Sequence, residues 1–343
     1  MKIALDGTYS LDRDLSGVGV YSREILNGLA ALHPEASYLF CYRPHRFLRS
    51  FAHRLPPNAS RRLLREHRAP SADLFHGLNQ RLGSAPYARA VSTFHDLFVI
   101  SGDYSSPEFR ERFAAQARAA AERSDLIITV SAFTGRQVEE LLQVEPSRIR
   151  VIHHGVRPVP ALTARPSGRE SMILSVGAIQ RRKNTARLVE AFEQLDPGWK
   201  LVLAGSSGFD SEEALQRIER SPRKKDIQAL GYVPGPDLEQ LYRRAAIFAF
   251  PSLDEGFGMP VLDAMARGVP VLTSNVSAMP EVAGGAALLI DPADVTSIAE
   301  GLRRLTADAA LREQLTRAGL ARANEFSWGK SVDATWKVYG ELL

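Results

Sequence analysis

Short apolar runs alternate with amphipathic stretches along almost the whole chain, in two series separated by a proline-rich segment. The runs of the first series are residues 2–6, 37–42, 73–75, 91–94, 126–130 and 150–152, and those of the second are 172–176, 201–203, 227–230, 247–250, 269–273 and 287–290. Apolar runs of this length with helical stretches between them are typical of βαβ units around parallel sheets. The alternation therefore predicts an α/β fold with one parallel sheet in each half of the chain.

The proline-rich segment predicts a linker between two domains. It contains Pro158, Pro160 and Pro166 and has little hydrophobic periodicity. A length of 343 residues suits two domains at about 100–200 residues each. We predict a first domain over residues 1–157, a linker over 158–168, a second domain over 169–326 and a last helix over 327–343. Ligands of parallel sheets bind beyond the carboxyl ends of the strands, so we expect two domains facing each other across a cleft.

The composition excludes several classes of protein. A single cysteine, Cys41, can form neither an internal disulfide nor a cysteine-rich metal site. No apolar run approaches the ~20 residues that cross a bilayer. The chain opens on a strand-like run where a signal peptide would have its charged and apolar regions. We therefore expect a cytoplasmic protein.

The net charge of +4 has its origin in one region. Residues 1–165 hold 22 Lys and Arg against 16 Asp and Glu. Eight of these arginines lie between Arg43 and Arg68, called the basic segment below, beside one acid, Glu66. Apolar residues are interleaved with them, namely Leu48, Phe51, Leu55, Leu63 and Leu64.

The basic segment has two interpretations. One is a solvated arginine-rich surface. The other is contact with anionic lipid, or with a lipid-pyrophosphate acceptor, which implies a peripheral position at the inner face of a membrane. No nucleic-acid recognition motif accompanies the charge, so we expect no nucleic-acid partner.

The strongest local motif spans residues 251–266, PSLDEGFGMPVLDAMA. A strand is predicted to end before it, and a helix is predicted to begin near Pro260, a residue suited to the first helical turn. Backbone N–H groups at such a helix N-terminus suit an anionic ligand such as a diphosphate. The carboxylate of Glu255 suits hydrogen bonds to hydroxyl groups instead. The alternative is a surface turn, with Asp263 a solvated helix residue.

A second motif follows the first strand of the second half. Gly177 permits a tight turn there, and Arg182 and Lys183 are predicted to open the next helix. Cations at a helix N-terminus oppose the dipole, at a cost of about 0.3–1 kcal/mol. A bound polyphosphate would offset that cost, since each charge-assisted hydrogen bond contributes about 1.5–3 kcal/mol. The alternative is an exposed basic turn.

The first half offers two weaker candidates. His95 follows a predicted strand and precedes Asp96, a position that suits catalysis or binding as well as a structural role. Gly17 lies in the sequence SGVGVY, residues 16–21, a glycine-rich helix start that can approach a phosphate but lacks the spacing of a dinucleotide fingerprint. No cluster of acidic, His or Cys residues suggests a metal site.

In combination these residues resemble the family 4 retaining glycosyltransferases of the GT-B fold. Glu255, followed eight residues later by Asp263, is similar to the E-x7-E signature of that family. Similarity extends in order over nearly the whole chain, through residues 16–21, 95–96, 129–131, 152–156, 177 with 182–184, 203–205, 230–233 and 280–282. The sequence is most similar to the mannosyltransferase-like branch.

The resemblance implies two facing Rossmann-like domains, with a last helix that crosses back to the first domain. It also implies a nucleotide-sugar donor held mainly by the second domain, an acceptor held by the first, and no metal or other cofactor. The catalytic residues that it implies are His95, Arg182, Lys183 and Glu255. The donor-binding residues that it implies are Gly17, Gly177, Val233, Phe257, Gly258, Met259 and Asp263.

The implied roles differ among these residues. Arg182 and Lys183 are expected to bind the diphosphate, Glu255 the hydroxyl groups of the donor sugar, and His95 that sugar from across the cleft. Asp263 is expected to bind the ribose, and the backbone of Val233 the base.

The sequence departs from the family pattern at two positions. The second acid is Asp263, one methylene shorter than Glu, which predicts altered donor affinity. The residue after Gly177, often Arg in the family, is Ala178, so Arg181 or Arg182 is expected to take its place.

The expected function is metal-independent transfer of a hexose, with retention at the anomeric carbon, in cell-surface polysaccharide biosynthesis. Mannose is favoured, with GDP-mannose as the donor and a glycan or lipid-linked acceptor. Two alternatives are a sugar phosphorylase of the same fold and a non-catalytic module that binds a nucleotide-sugar.

Overall fold

The computed structural model describes residues 1–12, 15–156, 159 and 168–343. It divides into two compact units, one of residues 1–155 and 327–343 and the other of residues 156–326. The first unit therefore ends two residues before the predicted boundary. The ends of the second unit meet, because the backbone N–H of Val156 donates to the carbonyl oxygen of Phe326 at 3.4 Å. The predicted linker, residues 158–168, lies outside the described residues except at Val159 and Gly168.

The first unit contains a seven-stranded sheet in which every pair of neighbours is parallel. Its strands are β1 Lys2–Asp6, β2 Ser37–Tyr42, β3 Ala59–Leu63, β4 Leu74–Gly77, β5 Ala90–Phe94, β6 Leu126–Thr129 and β7 Ile149–Val151. They lie in the order β3-β2-β1-β4-β5-β6-β7. The helices of this unit are α1 Gly17–Leu32, α2 Pro44–Phe47, α3 Phe98–Ser101, α4 Pro107–Arg123 and α5 Ala132–Leu142, joined by α13 Trp328–Gly340.

The second unit repeats this plan with six parallel strands. They are β8 Glu170–Val176, β9 Lys200–Ala204, β10 Ile227–Ala229, β11 Ala245–Phe250, β12 Val271–Ser274 and β13 Leu288–Ile290, in the order β10-β9-β8-β11-β12-β13. The helices are α6 Thr185–Glu193, α7 Glu212–Arg220, α8 Gly235–Arg244, α9 Met259–Ala266, α10 Met279–Ala283, α11 Val295–Ala307 and α12 Ala309–Ala323. In both units the order reverses beside the first strand, which is the usual ligand position of doubly wound sheets.

All twelve predicted strands are present, with ends displaced by at most two residues. The thirteenth, β3, was missed. Its sequence, ASRRL, contains no apolar run. An edge strand buries little of its surface and so tolerates polar residues, such as the exposed Arg62. The α/β class with two parallel sheets is confirmed.

Helix α13 returns to the first unit and packs on α1. The indole of Trp336 stacks on the imidazole of His33, with ring centroids 4.1 Å apart. Contact is close because Gly28 of α1 has no side chain: a Cβ there would lie 2.4 Å from Cγ2 of Val332. The described helices include none that is both long and apolar enough to span a bilayer.

Candidate active site

The candidate residues of the second unit lie in two loops that follow adjacent strands. One loop follows β8 and contains Gly177 and residues 181–184, and the other, residues 251–258, follows β11. Strands β8 and β11 pair directly, so their carboxyl ends meet where the strand order reverses. The predicted basic turn and the predicted acidic turn are therefore neighbours.

Asn184 fixes the first loop to the second. It has a left-handed backbone, with φ of +61°, and its side-chain amide donates to the carbonyl oxygens of Pro251 at 3.0 Å and Pro292 at 2.7 Å. The backbone N–H of Leu253 donates to the carbonyl oxygen of Arg182 at 2.8 Å. Because Asn184 is buried, these bonds hold both loops in one arrangement.

Glu255, Arg182 and Lys183 form a buried ionic cluster, called the ionic triad below. Arg182 Nη1 lies 3.0 Å from Oε2 of Glu255, and Lys183 Nζ donates to Oε1. Both Arg182 and Glu255 are under a tenth exposed, and Lys183 Nζ also lies 4.7 Å from the centre of the Phe250 ring. Burial would raise the pKa of Glu255, but Arg182 and Lys183 outweigh burial and lower that pKa to about 2.

The ionic triad corrects the sequence interpretation of the two cations. Arg182 and Lys183 do not open a helix: they lie in a 3-10 turn, residues 181–183, and α6 begins at Thr185. Glu255 pairs with both cations and compensates one of their two positive charges. Sequence reasoning selected all three residues but missed their contact, which follows from the pairing of β8 with β11.

Glycines allow the loops around the ionic triad to pack closely against each other. Gly177 has φ of +144°, and a Cβ there would lie 3.5 Å from Cε of Lys183. A Cβ on Gly205, in the loop after β9, would lie 1.9 Å from the carbonyl oxygen of Gly177. Gly258 is the N-cap residue of α9, with φ of +92°, and no side-chain cap hydrogen bond is present at that helix among the described residues. Its uncapped N-terminus is the positive end of the helix dipole.

The other candidates of the second unit lie around this centre. Phe257 is buried, with its ring 5.9 Å from that of Phe326, and Met259 is the partly buried first residue of α9. Asp263 lies one turn further along α9, where its carboxylate pairs with Arg267 at 3.2 Å. Val233, just before α8, is partly buried. Their predicted donor contacts stay predictions.

His95 lies directly after β5 in the first unit and is buried. Its Nε2 donates to the carbonyl oxygen of Leu78 at 3.0 Å, which places the proton of a neutral ring on Nε2. The ring of Tyr21 meets it edge-on at 4.8 Å, and that of His154 stacks on it at 5.4 Å. Burial lowers the pKa of His95 to about 4, so the imidazole is neutral at pH 7.

The hydroxyl group of Tyr21 begins a buried series of hydrogen bonds that ends at Tyr339. Its hydroxyl group bonds to Oγ1 of Thr93 at 2.8 Å, Thr93 bonds to Nε2 of His76 at 2.8 Å, and Nδ1 of His76 bonds to the hydroxyl group of Tyr339 at 2.6 Å. This series of hydrogen bonds thus connects α13 to the carboxyl ends of β4 and β5, beside His95. Sequence reasoning missed it, because its members are far apart in sequence.

Gly17 is the exposed first residue of α1. The helix is capped by Ser16, whose Oγ accepts from the backbone N–H of Gly19 at 3.3 Å. The predicted phosphate contact of Gly17 stays a prediction.

The basic segment carries less unbalanced charge than its sequence indicates. Arg43 is buried against Asp6 at 3.3 Å and Glu66 at 3.3 Å, and Asp12 pairs with both Arg46 and Arg49. Asp6 and Asp12 lie outside the segment, so a count along the sequence omitted them. The apolar residues of the segment differ in burial: Leu64 is buried, whereas Leu48 is 83% exposed and Phe51 is 61% exposed.

Comparison with known families matches each half of the chain separately. Residues 15–159 match the family described as "Glycosyltransferase Family 4", and residues 164–322 match "Glycosyl transferases group 1". The O-antigen chain mannosyltransferase B of Escherichia coli is 34% identical over 281 residues, which cover 78% of this chain and 74% of that protein.

Two solved structures share the fold. Sucrose-phosphate synthase from Thermosynechococcus elongatus is similar with a TM-score of 0.80 and 21% identity, covering 100% of this chain and 99% of that one. The Anabaena protein HepE, solved in complex with UDP-glucose, is similar with a TM-score of 0.75 and 17% identity, covering 99% of this chain and 100% of that one.

Proposed function

The chain belongs to glycosyltransferase family 4, and from this premise we propose that it transfers mannose from GDP-mannose to a glycan or lipid-linked acceptor. The product is a cell-surface polysaccharide. The name of the Escherichia coli relative, an O-antigen chain mannosyltransferase, supports the choice of sugar. The observation that carries the proposal is the ionic triad of Arg182, Lys183 and Glu255 at the strand-order reversal of the second unit.

The ionic triad suits a diphosphate donor. The triad itself, two cations and one carboxylate, carries a net charge of +1 and lies close in sequence to the N-terminus of α9. A diphosphate is attracted by both cations and accepts hydrogen bonds from them. The Glu255 carboxylate has about four lone-pair positions; Arg182, Lys183 and Ser252 face it, and the remaining acceptor capacity is proposed to bind a hydroxyl group of the sugar.

The same cations act in the transfer step. The bond between the anomeric carbon and the β-phosphate oxygen breaks, and negative charge grows on that oxygen. Fixed cations beside it stabilise this charge without reorganising. The acceptor oxygen bonds to the same face of the sugar, which retains the anomeric configuration, and its proton passes to the departing phosphate. No metal is needed in this scheme, so transfer is expected to be unchanged by a chelator.

Kinetics of two substitutions test this assignment. We expect Lys183→Ala and Glu255→Ala each to lower transfer from GDP-mannose about tenfold or more, because both alter the charge beside the leaving phosphate. The matched control is Glu170→Ala, which removes an exposed carboxylate paired with Arg244 in the same unit, and it should retain normal turnover. Near-normal turnover in both Lys183→Ala and Glu255→Ala would contradict a role of the ionic triad in transfer.

Ligand screening tests the donor. GDP and GDP-mannose at about 100 times Kd should each stabilise the protein by about 2.7 kcal/mol, seen as a raised melting temperature. A response to UDP but not to GDP would overturn the choice of nucleotide. Product analysis separates the alternatives: a phosphorylase needs free phosphate and no nucleotide-sugar, and a binding module yields no product.

The basic segment supports a position at the cytoplasmic face of a membrane. Leu48 and Phe51 are the two most exposed large apolar residues of the described chain. The exposed Arg54 follows Phe51 closely in the sequence, and Arg49, between the two, pairs with Asp12. Apolar insertion flanked by arginines suits an anionic bilayer surface.

Vesicle co-sedimentation tests that position. We expect binding to vesicles with anionic lipid, and weaker binding for the Leu48→Ser/Phe51→Ser variant. Leu32→Ser, which changes an exposed leucine outside the segment, is the control. Binding independent of anionic lipid would remove the anionic surface from the proposal, and no binding to either kind of vesicle would remove the membrane.

A further inference from the structure

A groove of about 620 Å³ runs between α6 and α7 on the second unit. The loops after β8 and β9 close one end of it, through Gln180 and Asp210. The small side chains of Ala186 and Ala214, one on each helix, leave the space between the walls. From Glu213 to Arg220 the groove follows α7 for about 10 Å. None of the three residues of the ionic triad lines it.

The lining is mostly polar. Apart from the two alanines, the groove is lined by Gln180, Arg181, Asn184, Thr185, Arg187, Glu190, Asp210, Glu213, Gln216, Arg217 and Arg220. An acyl chain or an aromatic ligand would bury little apolar surface in this groove, so a polar ligand suits it better.

The charges of the lining are nearly balanced, which argues against a strongly anionic ligand. Four arginines face three carboxylates. Arg217 is paired with Glu193, and Arg181 lies 3.9 Å from Asp210. A phosphate entering the groove would meet these carboxylates as well as the guanidinium groups.

Several groups along the groove are available to a ligand. The side chains of Glu190, Glu213, Gln216 and Arg220 make no hydrogen bond or ion pair within the described ranges. Together they offer carboxylate acceptors, an amide that donates and accepts, and a guanidinium donor. Sugar hydroxyl groups donate and accept at once, so they complement such a mixture.

We infer that this groove binds a glycan, the mannose-containing chain that the enzyme extends. A glycan bound there lies outside the ionic triad, beside Arg181 and Asn184, and the product is thereby retained between additions. The polar lining carries the assignment to a glycan, whereas the identity of the sugar rests on the proposed function.

Binding of an α-linked mannotriose tests the inference. The full chain is saturated with GDP to fill the donor site, and the affinity is measured by saturation-transfer NMR. We expect the Glu213→Ala/Gln216→Ala variant to lower this affinity at least fivefold. Glu219→Ala on the same helix is the control, because its carboxylate pairs with Lys224 outside the groove, and it should bind as the wild type does.

Folding is checked by thermal melting, and alanine is well tolerated at these exposed helical positions. Unchanged affinity in the double variant would overturn the inference. Displacement of mannotriose from the groove by inorganic phosphate would also overturn it, and would assign the groove to an anion. A chain that binds mannotriose through Glu213 and Gln216 but transfers no hexose would overturn the proposed function alone.

Discussion

Glu255 carries a negative charge at a position where burial alone would favour the protonated acid. The pKa is lowered to about 2 because Arg182 and Lys183 outweigh the effect of burial, whereas the ordinary value is 4.5. The carboxylate is therefore more acidic in the folded protein than in the unfolded chain. Its contribution to stability is complete above about pH 4.5 and is lost as the pH falls from there towards 2.

This linkage predicts the behaviour of Glu255→Gln. The substitution leaves two buried cations without their carboxylate, so we expect a loss of about 3 kcal/mol of unfolding free energy at pH 7. The difference from the wild type should shrink by about 1 kcal/mol between pH 7 and pH 3.5, because the wild-type contribution fades. Urea unfolding at both pH values measures it. Glu170→Gln, in an exposed pair, should cost under about 1 kcal/mol, and a pH-independent loss at Glu255 would contradict the linkage.

At the same scale, the sequence selects candidate residues for the site but does not show which of them touch. Glu255, Arg182 and Lys183 are predictable from local motifs, since each follows a strand end. Their contact depends on strand order, which joins residues 72 positions apart. The same limit hides the bond between His76 and Tyr339, which are separated by 263 positions.

Among the elements, α13 is held by close packing on α1. A Cβ at Gly28 would lie 2.4 Å from Val332, a β-branched residue that cannot easily turn away. Gly28→Ala should therefore destabilise the first unit by about 1–3 kcal/mol, although alanine favours a helix over glycine by about 1 kcal/mol.

A double-mutant cycle separates these two effects. In a Val332→Ala background the obstructing methyl groups are gone, so Gly28→Ala should be neutral or stabilising there. Urea unfolding of the four proteins measures the coupling. If Gly28→Ala lowered the free energy of unfolding equally in both backgrounds, contact with Val332 of α13 would not be the reason that position 28 requires glycine.

At the scale of the whole molecule, the sequence predicts the two-sheet architecture because hydrophobic periodicity is local. It could not predict β3, whose arginines mask an edge strand, or the balance of the basic segment. Arg43 and Arg46 find their acids at Asp6 and Asp12, which lie in a different part of the sequence. Patterns within about ten residues predict the apolar strands of both sheets, but neither an arginine-rich edge strand nor the charge pairs.

The two units differ in their response to acid, because all eight histidines belong to residues 1–155. Burial lowers the pKa of His76 to about 3 and that of His95 to about 4, and it holds the pKa of His154 well below the ordinary 6.5. The unfolded chain therefore binds protons below pH 6.5 that the folded first unit does not. Each of these histidines costs up to about 2 kcal/mol of stability between pH 7.5 and pH 5.

The second unit contains no histidine, and Glu255 keeps its stabilising charge down to about pH 4.5. We therefore expect the first unit to open first on acidification. Hydrogen exchange measured by mass spectrometry at pH 7.5 and pH 5, corrected for intrinsic rates, should show protection lost in residues 1–155 and 327–343 and kept in 168–326. His76→Gln should reduce that loss, whereas the exposed His67→Gln should leave it unchanged. Equal loss in both units would mean that the buried histidines do not set the acid limit of the fold.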